Sequence, residues 1–212
     1  MRKNECAGTL LEELTDFART FIFPRSDSSA EGIARASAES HWLRTLVRGK
    51  TGGLETYRRW ASDNVPKMIK SSRYVINQAQ FDILARRTGM DLLRSWRSSF
   101  PGHHEKLSLG AAFRAVDLLF MAINESESCR SGQVQGFLHA PLGKATLLPL
   151  RACIDELVDE DYSVEMPANM TYDFIVTEDQ YILLQKAILA ISGMARVAPL
   201  TYAYFCSALT PL

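Results

Sequence analysis

No apolar run in this chain approaches the roughly eighteen consecutive residues that a membrane-crossing helix needs, so no such span is expected. The N-terminus, Met1-Arg2-Lys3, is basic, but the apolar stretch after it is broken by Glu12, Glu13 and Asp16, the wrong pattern for a cleaved signal peptide. Cysteine is scarce. Cys6, Cys129, Cys153 and Cys206 include no C-x-x-C pair, which leaves a zinc ribbon or a thioredoxin-like site without support. The remaining reading is reduced, partly buried thiols in a cytoplasmic protein. Glycine (12) and proline (8) are too few for a fibrous or low-complexity chain. The G-x-S-x-G pattern is missing, and with it the nucleophile elbow of a Ser–His–Asp hydrolase. What is present is an ordinary globular composition. The 212 residues, 47% hydrophobic and 23% charged, suffice for one large domain or two small ones and exclude disorder on a large scale.

Net charge is zero, but its distribution is uneven. Residues 1–105 hold 17 Lys and Arg against 12 Asp and Glu, and residues 106–212 hold 7 against 12. The window Arg44–Arg97 carries twelve basic and four acidic residues, whereas Asp155–Asp179 carries nine acidic residues and no basic one. A basic part of this kind attracts phosphate. The alternatives are that the two parts pair with each other or that both face water, and sequence windows alone do not separate these.

Helical periodicity dominates. Leu10, Leu11, Leu14, Phe17, Ala18 and Phe21 predict an amphipathic helix over 8–22, closed by Pro24. A second helix, capped within Ser26–Ser29, runs to about Val47. Short helices are expected at 54–61 and 67–76, separated by Pro66, and at 78–87 and 91–98, divided by Gly89. Leu107–Asn124 reads as an apolar helix, 125–136 as a loop, and a further helix is expected to begin near Pro149. Thr177-Glu178-Asp179-Gln180 has the form of a capping box, opening a helix with Tyr181, Leu184, Ile188 and Ile191 on one stripe and Gly193 as its stop. A last short helix covers about 200–208. The expectation is an all-α chain of about ten helices in one compact bundle, a single domain over 1–212 with a basic part to residue 105 and an acidic part after it.

Few residue patterns carry chemistry. Gly49-Lys50-Thr51-Gly52-Gly53 echoes the end of a phosphate-binding loop, but the glycine required five positions before Gly49 is Arg44, and a helix rather than a strand precedes it. The plain reading is a loop between helices. His103-His104-Glu105 has metal-ligand composition, but adjacent side chains diverge and His41 and His139 stand at no ligand spacing, so no metal and no cofactor are expected. Trp42, Trp60 and Trp96 read as core rather than as base-stacking rings. The remaining segment is Leu107–Asp117, in which Gly110 heads a helix. The first amides of a helix are unsatisfied and partly positive, and glycine admits an anion close to them.

Leu107–Ala115 resembles the hairpin of the helix-hairpin-helix DNA glycosylase superfamily, and Phe137–Lys144 resembles that family's approach to its catalytic aspartate and next helix. The resemblance covers about residues 90–160. It implies a glycosylase-like helical fold that holds the nucleic-acid backbone. The departures are specific. Ser108 stands at the first hairpin glycine, Arg114 near the lyase lysine and Gly143 at the aspartate. Arginine stays protonated and is a poor amine nucleophile, and glycine activates no water, so the family's chemistry is expected to be weakened, lost or relocated to Asp117 or Asp155. A buried helix with Gly110 placed for close packing is the alternative.

Three functions follow. The first is nucleic-acid binding without effective catalysis, with Arg44, Arg48, Lys50, Arg58, Arg59, Lys67, Lys70 and Arg73 on phosphates and Gly110 and Arg114 anchoring the hairpin. The second is a protein-interaction or accessory module whose acidic segment 155–179 meets a basic partner, with no nucleic acid bound. The third is base excision through Asp117 or Asp155.

Overall fold

A computed structural model of the chain describes residues 3–22, 29–39, 52–100, 107–126, 134–157, 165–167 and 171–209. Among them are eight α-helices and no strand: α1 (Lys3–Thr20), α2 (Ala30–Glu39), α3 (Gly53–Ser72), α4 (Gln78–Ser99), α5 (Leu109–Glu125), α6 (Lys144–Leu157), α7 (Glu178–Met194) and α8 (Pro199–Leu209). The all-helical expectation holds among the described residues, which form eight helices where about ten are expected for the whole chain.

The shortfall comes mainly from two helices that were expected to break. Pro66 lies inside α3, on its exposed side. There the Ser62 carbonyl, which a proline cannot bond, faces the wet side of the helix, so the ring costs one bond rather than the helix. Gly89 lies inside α4 and is buried, because a Cβ there would stand 2.5 Å from the ring of Phe113. It is a packing glycine, not a stop. Pro149 likewise falls within α6, which begins five residues earlier at Lys144. The capping box at Thr177 is present as expected: Thr177 Oγ1 accepts from the Gln180 amide, and the Gln180 side chain accepts from the Thr177 amide. Tyr181, Leu184, Ile188 and Ile191 of α7 are all buried.

The buried side chains form two clusters. One gathers α2, α3, α4 and most of α5 around Ile33, Tyr57, Trp60, Phe81, Leu92, Trp96 and Leu119. The other gathers α1, α6, α7 and α8 around Leu14, Leu147, Leu150, Tyr181, Ile188 and Phe205. Helix α5 stands between them. Ala111, Ala112, Ala115, Val116 and Leu119 face the first cluster, and Phe113 faces the second. Small residues on one side let α2 and α4 approach closely. Helices α7 and α8 meet at 91°. No single helix among the described residues is long and apolar enough to cross a membrane.

Candidate functional site

Two groupings of polar and charged side chains differ in character, one buried and one open. The first is a buried polar chain where the two clusters meet. The segment before α6 passes between α5 and α7 with no strand to pair with, and its backbone must still be satisfied. Gln185 of α7 does this like a strand edge: its Oε1 accepts from the Ala140 amide at 3.0 Å, and its Nε2 donates to the Ala140 carbonyl at 2.9 Å. Next to it, His139 Nε2 lies 2.9 Å from Asp82 Oδ1, and His139 Nδ1 lies 2.7 Å from the Tyr181 hydroxyl. That hydroxyl lies 2.6 Å from Asp117 Oδ1. The rings are held by packing, with Phe113 stacked on Tyr181 at 4.3 Å and Phe81 edge-on to His139 at 4.9 Å.

Burial sets the protons. Loss of water raises the Asp117 carboxyl well above its ordinary value, against the bond to Tyr181 and the charge of Arg114. Burial also lowers the His139 imidazole, against the pull of Asp82. Burial pushes Asp82 up, but bonds from His139 and Gln78 and the charge of Lys186 outweigh it, and this carboxyl stays low. The Tyr181 hydroxyl donates to Asp117 Oδ1, and the two ring nitrogens of His139 face that hydroxyl and the Asp82 carboxyl, so the polar line runs unbroken from Asp117 to Asp82.

Arg114 closes the inner end. It donates to the Leu142 carbonyl at 2.5 Å, faces the Tyr172 ring at 5.9 Å, and occupies the space where a side chain on Gly143 would stand. Burial pushes its guanidinium down to about 10, against the opposing pull of Tyr172 and Asp117. Gly110 is buried too. A Cβ there would overlap the Tyr172 carbonyl of the turn Tyr172–Phe174 that covers the start of α5. Ser108 takes up the first amides of α5, accepting from Ala111 at 3.2 Å and donating to Asp173 at 2.7 Å. The expectation that Gly110 and Arg114 present an open phosphate site is therefore corrected: protein groups already occupy the approach to both. Asp117 is sealed in the same way, at 1% exposure, and its carboxyl has no path to a substrate. Asp155 lies on α6, with its side chain outside the described residues.

The second place is open. Between α3 and α4 runs a cleft of ≈ 310 Å³ in which Lys67 faces Arg87 and Arg94, with Asn64, Ser71 and Thr88 beside them. It continues toward the end of α4 as a hollow of ≈ 320 Å³ that adds Arg59 and Ser98. Four cations meet two carboxylates, Asp63 and Asp91. Asp91 is already held: it accepts from Trp60 Nε1 at 3.1 Å and lies 3.5 Å from Arg94.

Of the basic residues expected on phosphates, Arg59 and Lys67 line this cleft. Lys70 and Arg73 are exposed at the end of α3, just outside it. Arg58 turns instead to a mixed-charge hollow shared with Glu31, Arg35 and Glu55. Arg44, Arg48 and Lys50 lie outside the described residues, as do His103, His104 and, within the acidic segment 155–179, residues 158–164 and 168–170. Arg87 and Arg94 are the cleft residues that sequence reading did not single out. They are seven apart, two turns on one face of a continuous helix, and a break assumed at Gly89 hides that relation. Among the described residues no group of His, Cys, Asp and Glu could hold a metal ion. Comparison with known proteins finds no matching family model, curated protein or solved structure.

Proposed function

We propose that this chain binds nucleic acid through the cleft between α3 and α4, by contact with the phosphate backbone and without acting on the bases. The observation that carries the reading is the convergence of Lys67, Arg87 and Arg94 from two helices on one open cleft, with Arg59 at its extension and hydroxyl and amide side chains between them. Cations that face one another across a cleft focus their field on the space between, whereas the same number spread over a surface does not. Side-chain amides and hydroxyls serve phosphate oxygens as well as charges do, and they position a backbone without reading sequence. The glycosylase-like resemblance enters the proposal only as a binding scaffold. Base excision needs a carboxylate at the substrate, but Asp117 is enclosed and Gly143 stands where the family's aspartate would fall.

The test is fluorescence anisotropy of labelled nucleic acid over a range of salt. Binding is expected to fall steeply with salt, and Lys67→Ala or Arg87→Ala each to lower the logarithmic salt slope by about one. Binding that ignores salt, or that both substitutions leave unchanged, overturns the proposal.

A further inference from the structure

Resting on the reading of the cleft as a nucleic-acid site, we infer that its ligand is single-stranded and that the ring of Tyr74 stacks on a base. Tyr74 is 72% exposed in the turn that joins α3 to α4, with its amide bonded to the Ser71 carbonyl at 3.1 Å. Ser71 lines the cleft, so the turn that carries Tyr74 lies at the cleft's end. Two more large apolar side chains are exposed nearby, Ile76 at 69% and Ile83 at 58%. Ile83 lies one turn before Arg87 on the same side of α4. Lys70 and Arg73, both exposed, precede Tyr74. A single exposed apolar residue is ordinary on a protein surface. Three within residues 74–83, set among cations at the end of a polar cleft, match the needs of an unpaired strand, whose backbone follows the charges while its bases seek flat apolar faces.

A duplex suits the same surface less well. Its bases are already stacked on one another, so an exposed ring at the rim finds no free face. Lys67 and Arg87 project from opposite walls of the cleft, so one backbone lying between them meets both, whereas a duplex resting on the rims meets the outer cations Lys70 and Arg73 first. Tyrosine's hydroxyl has no part in stacking, so the ring alone carries the effect.

The experiment measures anisotropy of a labelled oligothymidylate and of a duplex of equal length with the full chain, alongside flotation with phosphatidylserine vesicles. The single strand is expected to bind more tightly than the duplex. Tyr74→Ala is expected to weaken single-strand binding about tenfold and leave duplex binding unchanged, and Tyr74→Phe to restore it. Single-strand affinity that survives Tyr74→Ala, or a duplex that binds as tightly, overturns the stacking inference. In that case, loss of binding in the Lys67→Ala, Arg87→Ala double variant still upholds the cleft as a nucleic-acid site. Binding to vesicles but to neither nucleic acid overturns both readings. All three side chains are exposed, and circular dichroism of each variant verifies the fold.

Discussion

The buried chain from Asp82 to Asp117 and the cleft between α3 and α4 contain the same kinds of group, yet they work in opposite ways. In the buried chain the rings of His139 and Tyr181 are clamped by Phe81 and Phe113, and their polar atoms are hydrogen-bonded. Burial raises the Asp117 carboxyl and lowers the His139 imidazole, because the ionised form loses water that the neighbouring groups only partly replace. Such a network holds parts together: it fastens α4, α5, α7 and the segment before α6 at one point. In the cleft, Lys67 and Arg87 are exposed to solvent, and exposed Arg94 lies beside Asp91, so on the proposed function a phosphate would displace water and counterions there. Buried hydrogen-bonded groups therefore tie the helices of this molecule together, whereas the charged side chains of the open cleft stay accessible to solvent.

The contrast is broken most severely at Gly110, which is packed under a turn rather than open to a phosphate. Gly110→Ala forces a Cβ into the backbone of the turn Tyr172–Phe174, which cannot yield as a side-chain end would, and about 3 kcal/mol of stability is expected to be lost in urea unfolding. Retention of full stability would mean that this turn is not seated on α5. Tyr181→Phe removes the hydroxyl shared by His139 and Asp117, and a loss of about 2 kcal/mol is expected by the same measurement. Neither substitution touches the cleft, so the properly folded fraction should bind nucleic acid as before.

Asp117→Asn sharpens the comparison through pH. The folded protein keeps a proton on Asp117 that the unfolded chain releases above its ordinary value of 3.8, so this residue makes stability fall as pH rises from there toward its raised folded value. His139 works the other way. The unfolded imidazole binds a proton below 6.5 that the folded one refuses, so stability rises with pH from the lowered folded value up to 6.5. The asparagine variant, which has no titrating carboxyl and still accepts from Tyr181, is expected to lose the falling slope and keep the rising one in unfolding curves collected from acid to neutral pH. The smallest effect on stability belongs to the cleft: Arg87→Ala should shift unfolding by less than about 0.5 kcal/mol while changing the salt dependence of binding. A large loss of stability there would make the cleft a structural feature after all.

Much of the secondary structure is legible in residue patterns, because each helix carries its own apolar stripe and cap. The box at Thr177 and the stripe Tyr181, Leu184, Ile188, Ile191 define α7 with no reference to the rest of the chain. Pro66 and Gly89 mislead for the same local reason. Each weakens a helix in isolation, and only its surroundings, water over Pro66 and the Phe113 ring over Gly89, decide that the helix continues. The error carries over to the site, since it places Arg87 and Arg94 on different helices.

By itself the sequence determined an all-helical chain with its cations gathered before residue 98, since periodicity and charge counts depend only on neighbours along the chain. Only the tertiary structure decided which of those charges stay in water. His139 meets Asp82, 57 positions away, and Tyr181 meets Asp117, 64 positions away, because packed helices set the partners. The same packing closes Gly110 and Arg114 under the turn Tyr172–Phe174 and the segment before α6, and leaves Lys67, Arg87 and Arg94 open to solvent.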